Sequence, residues 1–239
     1  MLSKADLTQG SITGTLLRFT LPMIIGSLLQ QCYNIADTLI VGQCIGSGAL
    51  AAVGSAYTLM VFLISILLGL SMGSGTVFSL QYGAGRMKAL RRSIYVSAVL
   101  IGTVTIVLNI AALSFIHPIL KLLQIPDDIY QMMYDYLWII FWGIGFTFIY
   151  NFYAALLRAI GNAVTPLYFL AISVVLNIGL DLFFILLLDW GIKGAAIATI
   201  IAQGVSALGI MGYTYAKCPE LRLHRNDLHF DRHCPVSYT

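Results

Sequence analysis

The chain has 239 residues, of which 59% are hydrophobic and only 10% are charged, and its formal net charge at pH 7 is +3. Soluble domains carry about 25% charged residues, so this composition excludes an ordinary soluble domain and indicates an integral membrane protein. A net charge this small gives no reason to expect a nucleic-acid partner.

Six apolar segments follow one another along the chain, and each is about as long as a membrane-spanning helix. A bilayer core about 30 Å thick requires roughly 20 predominantly apolar residues per helix. The sequence therefore predicts an all-α, polytopic membrane protein with six transmembrane helices in one bundle. The predicted spans are Leu16–Val41, Leu50–Tyr82, Ile94–Ile116, Tyr130–Leu156, Leu167–Leu188 and Gly194–Ala216.

Lysine and arginine residues lie almost entirely on one side of these predicted spans. All except Lys121 and Lys193 lie near the start of the first span or follow an even-numbered span. By the positive-inside rule, we expect a multi-pass protein of the plasma (cytoplasmic) membrane with both termini in the cytoplasm. Membrane lipid is then its first partner.

Motifs for enzymatic, redox or metal chemistry are absent from the sequence. It contains no phosphate loop, no zinc-protease motif and no hydrolase elbow, so we expect no enzymatic activity and no cofactor. The four cysteines lack metal-type or redox-type spacing, and the predicted topology places them at different depths. Neither a metal site nor a disulfide framework is therefore expected among Cys32, Cys44, Cys218 and Cys234.

Two aspartates, Asp37 and Asp181, lie inside predicted spans that are otherwise almost wholly apolar. Both lie roughly 8 to 12 Å below the outer membrane surface, counted at 1.5 Å per helical residue. Asn34 and Asn177 precede them by three and four residues, so each amide shares a helix face with its carboxylate. A carboxylate in hydrocarbon is costly, and such residues usually have a function.

The environment of the two aspartates differs. One interpretation of Asp37 is an interfacial residue that snorkels or caps the following turn. Asp181 precedes the apolar run Leu182 to Leu188, so it must be protonated, paired or facing an aqueous cavity. No lysine or arginine lies mid-span to pair with either. If they are close, the two carboxyl groups share a proton or bind a small cation such as Na⁺, which predicts a coupling-ion site.

Other polar and aromatic residues inside the predicted spans have two open interpretations. Pro22 removes a backbone hydrogen bond and should bend the first span. The mid-span amides either bond neighbouring helices or line a cavity; they are Gln30, Asn151 and Gln203. An aromatic cluster at the start of the fourth span predicts an interfacial belt; it comprises Tyr130, Tyr134, Tyr136, Trp138 and Trp142.

Several motifs, in order along residues 10–217, resemble one known family of transporters. These are PMIIGSLLQQCYNIADT (22–38), GSGALAAVG (46–54), RAIGNAVTP (158–166), LNIGLD (176–181) and GIKGAAIAT (191–199). They look like the N-terminal half of a multidrug and toxic compound extrusion (MATE) transporter, most of all the DinF-like and NorM-like members.

This resemblance implies a cation-coupled antiporter that exports small organic, often cationic, compounds, with an ion site in its N-terminal six-helix bundle. It implies that coupling H⁺ or Na⁺ binds at Asp37, Asn177, Asp181 and Thr199. It implies that an adjoining substrate cavity is lined by Gln30, Tyr33, Asn34 and Asn151. The resemblance also implies a hinge at Pro22, which matches the proline at which the first helix of the family has been proposed to bend when the ion site is protonated.

Length is where the chain departs from the family. We expect residues 1–217 to form the bundle and residues 218–239 to be a cytoplasmic linker or tail, so the chain is expected to be truncated. Its expected partner is a missing C-terminal six-helix half or a second copy. Two alternatives stay open: an inactive fragment or membrane assembly protein, and a related lipid-linked-sugar or polysaccharide flippase. The lack of mid-span cations counts against the flippase, whose diphosphate cargo would need them.

Overall fold

The computed structural model describes residues 12–221, and within this range the chain is helical and contains no strand. The all-α prediction is therefore confirmed. The long helices are α1 (Ile12–Cys44), α2 (Ser47–Gly83), α3 (Met87–Ser114), α5 (Asp127–Ala159), α6 (Val164–Leu182) and α7 (Gly191–Lys217). A short helix α4 (Ile116–Leu122) precedes α5, a π-helical turn Phe183–Leu187 extends α6, and a 3₁₀ turn Pro219–Leu221 follows α7.

Each predicted span corresponds to one long helix, but the boundaries differ. The third span was predicted from Ile94 to Ile116, whereas α3 begins seven residues earlier at Met87 and ends at Ser114. Arg91 and Arg92 therefore lie in helical turns of α3, although they fall in a predicted loop. Helix α4 also lies in a predicted loop. With seven residues it is too short to show the apolar periodicity by which a helix is recognised in a sequence.

Within residues 12–221, five helices are long and apolar enough to cross a membrane: α2, α3, α5, α6 with its π turn, and α7. Helix α1 is equally long at 33 residues, but its apolar sequence is interrupted by Gln30, Gln31, Asn34 and Asp37. Apolar side chains cover the outside of the bundle, where Phe62, Ile106 and Val175 are 65%, 62% and 73% exposed. A surface of this kind suits a hydrocarbon solvent.

Helices α5 and α7 form the centre of the bundle. Helix α5 packs against α2, α3 and α7, and α7 also packs against α6. In its most apolar 18-residue window α7 has 56% of its residues buried, compared with 17% for the peripheral α3. Small residues allow this close packing; Ala195, Ala196, Ala198 and Ala202 of α7 are fully buried. Helix α1 packs mainly against α6, at the edge of the bundle.

The predicted aromatic belt is wrong for Tyr136. Trp138 and Trp142 are 46% and 59% exposed, as expected of a belt, whereas Tyr136 is only 7% exposed. Two residues correspond to about 200° around an α-helix, so Tyr136 and Trp138 lie on opposite faces of α5. Tyr136 therefore points into the bundle.

Candidate functional site

The two aspartates lie on neighbouring helices in the interior of the bundle. Asp37 of α1 is 7% exposed and Asp181 of α6 is fully buried. Their carboxyl groups are close enough to hydrogen-bond to each other when one proton is shared between them. The snorkelling interpretation of Asp37 does not hold, because its side chain is enclosed by protein.

An amide and two hydroxyl groups surround the acid pair. Asn177, one turn before Asp181 on α6, donates a hydrogen bond from Nδ2 to Oγ1 of Thr199 on α7 at 3.3 Å. The hydroxyl of Tyr33 on α1 donates to the same oxygen at 3.4 Å. Thr199 therefore connects three helices at this point. All four residues that the family resemblance assigns to the ion site, Asp37, Asn177, Asp181 and Thr199, lie together here.

Several buried oxygen atoms in this cluster receive no hydrogen bond from any group in the described part of the chain. They are Oδ1 of Asp37, Oδ1 of Asn177 and both carboxyl oxygens of Asp181. An unpartnered buried polar atom costs about 1–3 kcal/mol, so these four acceptors call for donors or cations from outside the described side chains. A shared proton, a small hard cation or water would each satisfy them, since carboxylate, amide and hydroxyl oxygens accept hydrogen bonds and are ligands for such cations.

Residues 12–221 do not bring three or more histidine, cysteine, aspartate or glutamate side chains together in a way that could hold a metal ion. Three of the cysteines fall in this range, and none of the three is in a disulfide there: Cys32 and Cys44 are exposed, and Cys218 is buried. The acid pair is thus a two-carboxylate site completed by neutral oxygens, which differs from the nitrogen and sulfur ligands that zinc prefers.

Sequence reasoning missed Tyr136 as part of this cluster. Its phenol interacts electrostatically with Asp37, Tyr33 and Asp181, so α5 also contributes a side chain to the surroundings of the acid pair. The sequence does contain a pattern that indicates its position. Met133 and Ile140, one helical turn before and after Tyr136, are apolar, and both are buried in the structure. This stripe places Tyr136 on the interior face of α5.

A cavity of about 290 Å³ adjoins the acid pair, at the lower end of the size range of small-molecule sites. The four residues that the resemblance assigns to a substrate cavity, Gln30, Tyr33, Asn34 and Asn151, all line it. Among the described side chains that line it, none is charged. Tyr33 belongs to both places, since it lines the cavity and donates to Thr199 in the ion site.

The amides in the cavity wall are partly used in bonds between and within helices. Oγ1 of Thr147 on α5 donates to Oε1 of Gln203 on α7 at 2.9 Å. Nδ2 of Asn151 donates to the backbone oxygen of Thr147 at 2.8 Å. Gln203 therefore fills both roles that its mid-span position left open, because it bonds two helices and also lines the cavity.

Pro22 lies inside α1, which continues through it without a break from Ile12 to Cys44. Fifteen residues separate it from Asp37, about 22 Å along the helix axis. Its predicted role as a hinge stays a prediction, as does the boundary between a bundle and a tail at residue 217. Of the predicted tail, residues 222–239 lie outside the described range.

Comparisons with known proteins agree on one family. A family model described as MatE matches residues 22–183. The chain is 36% identical over 203 residues to "Probable multidrug resistance protein YpnP" of Bacillus subtilis, covering 85% of this chain and 46% of that protein. It is 27% identical over 225 residues to an "FAD transporter" of Shewanella oneidensis, covering 89% of this chain and 48% of that protein.

Solved structures share the fold. A crystal structure of MATE in the bent conformation superimposes with a TM-score of 0.89 at 24% identity, covering 97% of this chain and 52% of that chain. An outward-facing MATE family transporter gives a TM-score of 0.87 at 24% identity, with 97% and 51% covered. The chain thus spans about half the length of the relatives and structures it matches.

Proposed function

Because the chain belongs to the MATE family, we propose that it forms one half of a cation-coupled antiporter that exports small organic, often cationic, compounds. The observation that carries this proposal is the buried pair Asp37 and Asp181 with its unpartnered oxygen atoms, beside a cavity of small-molecule size. Such a pair is costly in a membrane interior unless a mobile positive ion is bound there part of the time.

In the proposed cycle, H⁺ or Na⁺ enters from outside and binds between Asp37 and Asp181. Oδ1 of Asn177 and Oγ1 of Thr199 complete its oxygen ligands. Binding neutralises the pair and removes its attraction for a cationic compound in the cavity, which favours release. For the ion to drive this step, it must bind the two transporter conformations with different affinity. Pro22 is the proposed hinge for the movement of α1.

A second six-helix body is the proposed partner, either a C-terminal half or a second copy of this chain. The support for it is that Gln30 and Gln31 are exposed near the middle of α1. Oε1 of Gln31 accepts a hydrogen bond from Nδ2 of Asn34, but contact with lipid would leave the N–H groups of both glutamines without acceptors. The proposed orientation keeps both termini in the cytoplasm, on the side where most lysines and arginines lie.

The charge of the residues that line the described cavity favours some classes of cargo over others. A flippase for diphosphate-linked sugars, or a carrier of a dinucleotide such as FAD, moves phosphate groups that are best bound by arginine or lysine. No such residue lines the cavity, so organic cations fit this half better. The remaining alternative is a chain that inserts into the membrane but transports nothing.

Uptake of a fluorescent organic cation into vesicles, under separately imposed proton and sodium gradients, tests the proposal. We expect one of the gradients to drive transport by the wild type and neither to drive it for Asp181→Asn, although that variant still inserts. Asp135→Asn is the matched control, because it removes a carboxylate that is paired with Lys193 outside the cluster at 3.2 Å. Normal gradient-driven transport by Asp181→Asn would refute the ion-site assignment. A wild type that is inert both alone and together with a C-terminal six-helix half of a relative would favour the inactive alternative.

A further inference from the structure

The helix that carries Asp181 changes its winding immediately after that residue. Helix α6 ends at Leu182 and continues as the π-helical turn Phe183–Leu187. The N–H of Leu188 donates to the backbone oxygen of Phe183, five residues back, at 3.2 Å. Single π turns within helices are rare and are found frequently at functional sites. Within this turn Phe184 is buried, on the side that faces α7.

A glycine on α7 lets this π turn approach closely. A Cβ atom on Gly194 would lie 2.9 Å from Cβ of Phe184 and 3.3 Å from its backbone carbonyl carbon. It would also lie 3.2 Å from Cβ of Trp190. The Trp190 indole stacks on the Phe184 ring with centroids 5.0 Å apart and planes 3° from parallel. No side chain fits at position 194 unless the backbone of the π turn moves.

The same helix pair carries part of the ion site. Asn177 of α6 contacts Thr199 of α7 at 3.3 Å, while Phe184 contacts Gly194. These two contacts lie about 10 Å apart along α6, and Asp181 is between them. Contacts between α6 and α7 therefore lie on both sides of Asp181.

We propose that Gly194 and the π turn Phe183–Leu187 that packs against it hold the coupling-ion site in place. Gly194 touches no ion; it acts through Phe184 on the place of Asp181 relative to the groups that face it, which are Asp37, Tyr33 and Tyr136. The inference rests on the proposed ion site and adds a residue to it that provides no ligand atom.

Gly194→Ala tests the inference, and Gly204→Ala is its matched control. Both glycines are buried in α7, but a Cβ at Gly204 meets the ring of Phe146 at 3.6 Å, an ordinary contact. Alanine also favours a helix more than glycine does, so neither change should unwind α7. The probe is dicyclohexylcarbodiimide, which modifies protonated buried carboxyl groups; labelling of Asp181 in the full chain is followed by mass spectrometry.

We expect the Na⁺ concentration that half-protects Asp181 from labelling to rise about 10- to 100-fold in Gly194→Ala, the usual effect of disturbing groups that orient ion ligands. In Gly204→Ala it should stay near the wild-type value. If Na⁺ does not protect the wild type, the proton is the ion, and the pH of half-maximal labelling should then differ from wild type by about one to two units in Gly194→Ala. A merely structural role would lower thermal stability without moving either midpoint.

Unchanged midpoints in Gly194→Ala, with normal ion response in the wild type, would overturn this inference and leave the proposed function intact. A wild type whose Asp181 labelling responds to neither Na⁺ nor pH would instead overturn the ion site itself. If Gly194→Ala fails to insert, Trp190→Leu replaces it, because it removes the stacked ring that holds Phe184 without adding an atom between the helices. It should shift the midpoint in the same direction, and no shift would count against the inference.

Discussion

Replacing Asp181 by asparagine should stabilise the protein while it abolishes ion coupling. Asparagine has the shape of aspartate, removes one of two neighbouring buried charges and adds an N–H group. That N–H can donate to Oδ1 of Asp37, which receives no hydrogen bond within the described part of the chain. In the variant, the protein itself therefore provides a partner for Asp37, which in the wild type would be the bound ion.

The size of the effect follows from the one bond that is gained. A hydrogen bond to a charged acceptor contributes about 1.5–3 kcal/mol. For a chain of this length each kcal/mol corresponds to about 2–4 °C in the melting temperature, so Asp181→Asn should melt roughly 3–12 °C above the wild type. The measurement is thermal unfolding of the purified protein in sodium-free buffer at mildly alkaline pH, where the stabilising ion is scarce.

Asp135→Asn separates this effect from a general effect of removing a carboxylate. Asp135 and Lys193 form an ion pair whose side chains are 22% and 56% exposed, and such pairs contribute about 0–1 kcal/mol. The control should therefore melt at or slightly below the wild-type temperature. A melting temperature of Asp181→Asn below that of the wild type would refute the reasoning, because it would mean that the carboxylate of Asp181 has a stabilising partner within the protein.

Three further substitutions test the site, the cavity and the core separately. Thr199→Val removes the oxygen that accepts hydrogen bonds from Tyr33 and Asn177, so vesicle transport should need a steeper ion gradient and the melting temperature should fall by the equivalent of about 1–3 kcal/mol. Gln203→Leu makes the cavity wall less polar and should change which compounds are exported, measured as inhibitory concentrations for a drug panel, without changing the ion dependence. Phe78→Ala truncates a fully buried ring and should cost about 3–5 kcal/mol, seen as a lower yield of folded protein with the ion dependence of the surviving fraction unchanged.

The sequence predicts the long helices and the functional importance of the two aspartates, because both follow from the energetics of a membrane interior. Apolar length defines the spans, and an aspartate within such a span, like Asp181, needs a partner wherever it lies. Neither argument reveals which helices are neighbours. The proximity of Asp37 and Asp181 depends on α1 packing against α6, which is a long-range contact that local patterns do not contain.

The features that the sequence did not predict depend on small rotations and short distances. Tyr136 was placed in a belt from its aromatic character, although its position relative to Trp138 decides which face it occupies. The π turn after Asp181 changes the winding of a run of apolar residues whose composition suits an α-helix equally well. The proposed role of Gly194 follows from the 2.9 Å that would separate a Cβ at this position from Cβ of Phe184, and the sequence alone makes Gly194 one of many small residues in α7.

Helix α1 is the element through which ion and cargo would be coupled. It contributes Gln30, Tyr33 and Asn34 to the cavity wall, and one turn later it contributes Asp37 to the acid pair. It also lies at the edge of the bundle, packed mainly against α6, and elements with few buried contacts are the ones that move most easily. An ion that draws Asp37 toward Asp181 therefore acts on the same helix that forms the cavity wall, so its binding should change the cavity without any rearrangement of the α5 and α7 core.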